Sequence, residues 1–340
     1  MNVYILDPNN NLKYVIDYAE SIIFNHKFND IGDCEIYMPY IDNDVLNKID
    51  LNDIIIKSFD EINLSFIIKS IEIESTFEKG NYITIKGETF NTLLTQRVFT
   101  FAEEFSQTIY QNCQQIAESI NGGPHFNNEI YVTNRTGDSV NRNFVFEFTT
   151  IFDAIKDMCA VKNLCFTFEN SNEGLYYLNI FKNYTTNIVF SPQNNNLISF
   201  KKENNNYNNV TFTYTRFETG DAEDPEAIFS GGDVYEGNDA FHVNVDATDV
   251  KREDYTDSAF FNIIENKENA VIYEGRIKDN IDIEVDASMY RFPFDYNIGA
   301  IVKIIDFFGN EYNAKIYEVT EKWDINGYAC EPKLEIIKNA

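Results

Sequence analysis

Residues 51–87 read LNDIIIKSFDEINLSFIIKSIEIESTFEKGNYITIKG, and this stretch decides the fold class. Apolar and polar residues alternate along most of it, which is typical of half-buried β-strands. Residues 77–80, Phe-Glu-Lys-Gly, suit a turn because glycine adopts left-handed backbone conformations without steric cost. We therefore expect a β-hairpin here. The alternation of isoleucine and glutamate over residues 70–74 predicts that one of its faces is solvated.

The end of the chain repeats this pattern. Residues 297–336 read NIGAIVKIIDFFGNEYNAKIYEVTEKWDINGYACEPKLEI, again a strand, a short turn, a strand, a glycine turn and a strand. In this pairing Gly80 corresponds to Gly327, and residues 71–74 correspond to residues 317–320. The repeat predicts two similar β-barrel modules. A duplicated module allows a trimer to present six near-equivalent surfaces.

The composition supports a folded chain of mixed class that is mainly β. The 340 residues are enough for two or more domains, and the 44% apolar content excludes wholesale disorder. The 29 phenylalanines and 21 tyrosines favour strands over helices. The fold class we expect is α+β, mainly β, with two similar β-barrel domains and small α/β and helical inserts.

Helical patterns interrupt the strands in three places. Thr100 and Glu103 have capping-box spacing, and apolar residues then recur at helical intervals until the sequence Gly-Gly-Pro at 122–124. A second helix is predicted to begin near Thr150, and a third covers roughly residues 253–269. The domain division that follows is a first barrel at 1–100 completed by about 196–216, an inserted α/β domain at 101–195, a second barrel at 217–252 and 286–340, and a helical insert at 253–285.

The chain is strongly acidic, with a formal net charge of −28. This charge argues against specific nucleic-acid binding and against docking on anionic lipid. It fits solubility at high local concentration, and it also fits an acidic lumen through which a polyanion passes without adhering. Charge alone does not choose between these two interpretations. No apolar run is long enough for a membrane span, and the N-terminus has no signal-peptide pattern.

No catalytic constellation can be assembled from the residues, so we predict no enzyme and no cofactor. The three histidines, at positions 26, 125 and 242, lack metal-ligand spacing, and no nucleophile elbow or phosphate loop is present. His242 alternates within a strand pattern and is expected to face solvent or an interface. Carboxylates are plentiful, but in so acidic a chain most of them should be solvated surface.

Three further features carry weaker signals. The five cysteines are scattered without a CxxC, which favours free thiols in a reducing cytoplasm over zinc. The loop 221–239 offers oxygen ligands for calcium but lacks the order of a known calcium loop, so we predict no metal site. Its candidate ligands are Asp221, Asp224, Glu226 and Asp233. The single tryptophan, Trp323, is a possible interface residue, because tryptophan is enriched in interface hot spots.

The opening sequence resembles a known family. Residues 14–40, YVIDYAESIIFNHKFNDIGDCEIYMPY, are similar to the start of tail hub proteins in siphophages of Gram-positive bacteria, where SLIW…RF…G.FEL..P recurs. Phe24 stands where tryptophan is usual and Cys34 where phenylalanine is usual; both are packing changes. The matching positions here are Ser21, Ile22, Ile23, Phe24, Phe28, Gly32, Cys34, Glu35, Ile36 and Pro39.

Later segments extend the resemblance over nearly the whole chain. Residues 90–99 resemble the segment that leads into the family's inserted domain, and residues 241–250 and 295–321 resemble its final strands. Thr248 replaces the family's arginine, and Ala300 stands where an acidic residue follows the glycine.

This resemblance implies a structural virion protein, a homotrimeric tail tip or baseplate hub that surrounds the channel for genome passage. The implied partners are the distal tail protein ring, the tape measure protein, and tail fibre or receptor-binding proteins. The implied location is the tail tip, after assembly in the bacterial cytoplasm. Larger relatives carry a cell-wall-cleaving extension at the C-terminus; we expect none in this protein, and this expectation favours the hub itself.

Two other classes of function stay open on the sequence. One is a β-rich receptor- or carbohydrate-binding module of a phage tail, which would need exposed aromatic platforms but no duplicated barrel. The other is a glycan-cleaving enzyme, whose carboxylates the sequence does not single out.

Overall fold

The computed structural model describes most of the chain, and every structural statement below concerns that part. The described residues are 2–40, 45–58, 64–78, 80–101, 103–121, 129–137, 139–171, 175–203, 212–218, 226–232, 242–252, 256–275 and 280–337.

Strands dominate the described residues, which confirms the prediction of a mainly β fold. The first half holds the strands β1 Val3–Leu6, β2 Leu12–Ile16, β3 Ser21–Lys27, β4 Asp33–Pro39, β5 Ile54–Ile56, β6 Phe66–Thr76, β7 Gly80–Thr89, β8 Glu103–Phe105, β9 Ile130–Arg135, β10 Phe144–Phe146 and β11 Leu164–Asn170. The second half holds β12 Tyr176–Lys182, β13 Tyr184–Phe190, β14 Leu197–Glu203, β15 Phe212–Glu218, β16 Glu226–Gly232, β17 His242–Lys251, β18 Asn280–Val285, β19 Ala300–Ile305, β20 Glu311–Asp324 and β21 Gly327–Ile336. The helices are α1 Thr92–Thr95, α2 Ile109–Asn121, α3 Ile151–Ala160 and α4 Asp257–Gly275.

One sheet of eleven strands joins the two ends of the chain. Its order is β13-β19-β20-β3-β4-β7-β6-β5-β1-β2, and β21 pairs with β20 outside this path. The 14-residue strand β20 makes the junction, since its first part pairs with β19 and its second part with β3. The described pairs do not close this sheet into a barrel. The two barrels and the domain boundaries therefore stay predictions.

A smaller α/β unit lies between β7 and β13. The three-stranded sheet β11-β12-β9 places Phe166, Phe168 and Ile180 against the buried stripes of α2 and α3. This packing continues into the main sheet, because the same core cluster includes Leu6 and Ile56. The periodic burial of apolar residues in both helices follows the sequence pattern.

The predicted start of α2 was wrong. Residues 103–105 form a strand that pairs with β10, and the helix begins at Ile109. The capping box is at Thr108 and Gln111, where the Gln111 backbone N–H donates to Thr108 Oγ1 at 3.3 Å and the Gln111 side chain accepts from the Thr108 backbone N–H at 3.3 Å. The same spacing occurs at Thr100, where β pairing prevails over the local helix signal.

The predicted start of α3 is confirmed. Thr150 has extended backbone angles and its hydroxyl accepts a hydrogen bond from the Asp153 backbone N–H at 3.0 Å.

We expect Thr150→Ala to lower the free energy of unfolding by about 1 kcal/mol, because the first turn of the helix loses its N-cap. Urea denaturation measures this loss. Thr149→Ala is the matched control, since the Thr149 hydroxyl donates to Glu147 O outside the helix; an equal loss in both variants would contradict the assignment.

Candidate assembly site

Two hairpins in the main sheet share one construction. In β6–β7 the register shifts between Ile68 and Ser70, and seven pairs then run from Ser70↔Lys86 to Thr76↔Gly80. In β20–β21 the shift falls between Ile316 and Glu318, and seven pairs run from Glu318↔Lys333 to Asp324↔Gly327. We call residues 70–86 the first arm and residues 318–333 the second arm.

The arms confirm the predicted hairpin and its glycine turn, and they refine the repeat. Gly80 and Gly327 both close an arm with positive φ angles of 89° and 107°. When the two arms are aligned at their bulges, Ile71 is equivalent to Val319, whereas the sequence comparison made it equivalent to Tyr317. The error is two residues, which leaves the side-chain alternation unchanged.

The arm tips are strongly exposed. Phe77 is fully exposed and Ile325 is 98% exposed, so each tip presents an apolar side chain to solvent. In the first arm Glu72 and Glu74 are exposed as predicted, but Ile73 is also 52% exposed. The prediction of a single solvated face was therefore wrong beyond Ile71, because no second layer covers the end of this arm among the described residues.

A buried charged group lies in the middle of the second arm. Glu321 is 1% exposed, and Lys57 Nζ donates to its two carboxylate oxygens at 2.9 and 2.8 Å. His26 Nε2 lies 3.1 Å from Oε2, and the Tyr328 hydroxyl donates to Oε1 at 3.0 Å. We call Glu321, Lys57, His26 and Tyr328 the buried cluster. It connects β3, the residue after β5, β20 and β21.

The pKa values in the buried cluster favour an ionised Glu321. Burial by itself raises the pKa of Glu321, but the hydrogen bond from His26 and the charge of Lys57 outweigh burial, so its pKa lies below the ordinary value. Burial and the adjacent Glu321 charge raise the pKa of Tyr328. Glu321 thus holds a negative charge in a site where both Lys57 and Tyr328 need an acceptor.

Trp323 lies two residues beyond the cluster on β20. Its ring contacts Phe24 edge-on at 5.8 Å between centroids and Tyr328 at 4.7 Å, and it packs at the margin of the core around β3 and β4. Part of the residue stays accessible. Its predicted role at an interface stays a prediction.

The other sequence candidates are not brought together. His242 lies exposed at the start of β17, as its alternation predicted. All five cysteines are free thiols, four of them buried and Cys330 half-buried. His125, Asp221, Asp224 and Asp233 lie outside the described residues, and so does the side chain of Glu226. Within the described ranges no group of three histidine, cysteine or acidic side chains could hold a metal ion, and no helix is long and apolar enough to cross a bilayer.

The sequence reasoning missed the buried cluster, although a signal was present. Ile22, Phe24 and His26 alternate inward along β3, and Val319 and Glu321 do so along β20. Glu321 therefore occupies a core position of an alternating strand, which marks a carboxylate that needs partners.

The fold is similar to solved phage tail proteins over its full length. The 43 kDa tail protein of prophage MuSo2 from Shewanella oneidensis has a TM-score of 0.62 at 12% identity, with 98% of each chain covered. The prophage tail protein gp18 from Listeria monocytogenes has a TM-score of 0.56 at 12% identity, covering 98% of this chain and 94% of the other. These likenesses show that the chain shares its fold with phage tail proteins.

The fold is also similar to that of a type VI secretion component. The E. coli c3393 protein, a type VI secretion component described as structurally similar to the T4 tail proteins gp27 and gp5, has a TM-score of 0.50 at 11% identity, covering 94% of this chain and 74% of that one. No curated protein sequence matches the chain significantly.

The chain belongs to the family of Siphovirus ReqiPepy6 Gp37-like proteins, whose model matches residues 2–334. It is a phage tail structural protein, and hence a virion component, which confirms the family resemblance of its sequence.

Proposed function

We propose that this protein is the homotrimeric hub of a phage tail tip or baseplate. The pair of matched arms carries the proposal, because one chain supplies two arms of seven residue pairs each and a trimer supplies six arms. Six near-equivalent surfaces suit a closed ring that meets sixfold neighbours. Each half of the chain would complete one barrel of the ring, as the repeat predicts.

In this proposal the hub acts by binding and by shaping a channel, and it performs no catalysis. It joins the distal tail protein ring on one side to tip, fibre or receptor-binding proteins on the other, and it surrounds the tape measure protein and later the genome. The net charge of −28 supports the channel role, since an acidic wall does not hold a polyanion.

The mass in solution tests the homotrimer directly. Light scattering on the purified chain should give three times the mass of one chain, and negative-stain images should show threefold rings with a central hole. A monomer at every micromolar concentration, with no rings in the images, would contradict the proposal.

The arm tips provide a residue-level test. We expect the double substitution Phe77→Ser and Ile325→Ser to raise the Kd of the trimer at least about tenfold, because apolar anchors dominate protein interfaces. The melting temperature of the monomer should not change, since both side chains are exposed. Analytical ultracentrifugation measures the Kd.

Phe101→Ser is the matched control, because Phe101 is also strongly exposed but lies outside the arms. An effect of the control equal to that of the double variant would remove the arms from the interface. Trp323→Phe extends the test: a trimer Kd that rises without loss of monomer stability supports Trp323 as an interface residue.

A further inference from the structure

A cleft of about 680 Å³ lies between the sheet β11-β12-β9 and the main sheet. One wall is the face of the small sheet that points away from α2 and α3. The opposite wall comes from the end of β3, residues 89–91 and the segment 293–298. This cleft is separate from the arms and from the buried cluster, although His26 of the buried cluster also lines the cleft.

The wall formed by the small sheet is polar along its centre. Thr133, Asn179 and Thr167 lie side by side on the three strands. Thr133 Oγ1 donates to Asn179 Oδ1 at 2.7 Å, Asn179 Nδ2 donates to Thr167 Oγ1 at 3.4 Å, and the Thr167 hydroxyl donates to Glu169. Burial raises the pKa of Glu169. This row presents hydroxyl, amide and carboxyl groups across the sheet.

Aromatic rings lie on both sides of the polar row. Tyr177 stacks on Tyr131 with 5.8 Å between centroids, and Phe181 lies on the other side next to Arg135. Rings next to convergent polar groups are typical of small-molecule sites. They offer flat apolar surface to the C–H faces of a ligand, while the central row offers hydrogen bonds to its hydroxyls.

Two further observations indicate a ligand and its charge. Ser65 is 2% exposed and lines the cleft, yet its hydroxyl has no hydrogen-bond partner among the described residues. A buried unpaired hydroxyl costs about 1–3 kcal/mol, which a ligand oxygen would offset. Three cationic side chains also line the cleft, Lys27, Arg135 and Lys182, together with the carboxylates of Asp30 and Glu169. Lys27 pairs with Asp33 at 2.7 Å, so Arg135 and Lys182 are the cations that we assign to the ligand.

The wall favours a saccharide over a peptide. An extended peptide docks by pairing its backbone with an open sheet edge. Here the ligand would meet a sheet face, where the backbone groups of β12 are already paired on both sides. A sugar ring has hydroxyls around its rim and C–H groups on its faces. The hydroxyls match the polar row of this wall, and the C–H faces match its aromatic rings. We propose that the cleft binds an acidic saccharide, with its sugar rings against Tyr177 and Phe181 and its anionic group near Arg135 and Lys182.

The cleft is preformed, because side chains of the main body bind the edge of the small sheet. Asn29 Nδ2 donates to Leu164 O at 2.7 Å, and the Phe166 backbone N–H donates to Asn29 Oδ1 at 2.8 Å. The Phe168 backbone N–H donates to Asn91 Oδ1 at 2.9 Å. A fixed wall reduces the entropy cost of binding. The proposal does not depend on the trimer.

An array of acidic and neutral oligosaccharides tests the proposal on the full-length protein. The acidic members carry carboxylate, phosphate or sulfate groups, the neutral members have matched backbones, and a hexaglutamate peptide represents an acidic polymer that is not a sugar. We expect at least one acidic saccharide to bind with an affinity at least tenfold above its neutral counterpart and above the peptide, and to remain intact.

Substitutions test whether the saccharide binds in the cleft. Arg135→Met and Asn179→Ala should each weaken titrated binding of that saccharide at least tenfold without changing the melting temperature. Lys162→Met, an exposed lysine outside the cleft, should leave binding unchanged. Binding of no acidic saccharide, equal binding of the peptide, or full affinity in Arg135→Met would overturn the proposal, whatever the oligomeric state.

Discussion

Replacing Glu321 by glutamine should lower the free energy of unfolding by about 3–5 kcal/mol, the largest loss that we expect from any single polar substitution. The variant keeps the shape of the side chain and removes its charge. Lys57, whose side chain is 10% exposed, then loses the carboxylate that lies 2.8 Å from its Nζ. Because the cluster connects β3, β5, β20 and β21, the loss should appear in one cooperative transition. Urea denaturation at pH 7 measures it.

The control is a pair of the same chemistry at the surface. Lys303 and Glu311 lie 2.7 Å apart on β19 and β20, with side chains that are 41% and 60% exposed. Solvent screens such a pair, so Glu311→Gln should cost less than about 1 kcal/mol. Equal losses from Glu321→Gln and Glu311→Gln would show that burial of the cluster does not matter for stability.

The pH dependence of stability provides a second readout of the same residue. Since the folded protein holds the pKa of Glu321 below its ordinary value of 4.5, its contribution is complete above that value and is lost as the pH falls through the folded pKa. The wild type should therefore lose more stability than Glu321→Gln as the pH falls below about 4.5. Parallel curves for the two proteins would contradict an ionised Glu321.

Local patterns in the sequence predicted local structure well. Alternation identified the strands of both arms, and Gly80 and Gly327 identified their turns, because few other residues adopt the positive φ angles found there. Thr150 identified the start of α3 because its hydroxyl caps a backbone N–H only three residues away. These features depend on neighbours within a few residues, which a single sequence contains.

Features that depend on distant segments were beyond the sequence. The capping-box spacing occurs at both Thr100 and Thr108, and only the pairing of β8 with β10 decides between them. The sequence comparison matched Gly80 with Gly327 but placed residues 71–74 two residues out of register, because a two-residue slip preserves every inward and outward position. Glu321 meets His26 and Lys57 across separations of 295 and 264 residues, so its core position could be inferred but its partners could not.

Replacing Asn29 by alanine should lower the free energy of unfolding by about 2–5 kcal/mol, because its side-chain amide makes two hydrogen bonds to the backbone at the edge of β11. Without it, the Leu164 carbonyl and the Phe166 backbone N–H remain buried and unpaired. The φ angle of Asn29 is 45°, a conformation that alanine adopts less readily than asparagine.

Asn29→Gly separates these two causes, since glycine accepts the positive φ angle but also lacks the amide. If the hydrogen bonds to β11 dominate, Asn29→Gly should lose nearly as much stability as Asn29→Ala in urea denaturation. Asn194→Ala is the control, because Asn194 also donates to a backbone carbonyl, that of Val189, but at an exposed site. If Asn29→Gly matched Asn194→Ala, the backbone angle and not the edge of β11 would explain the loss.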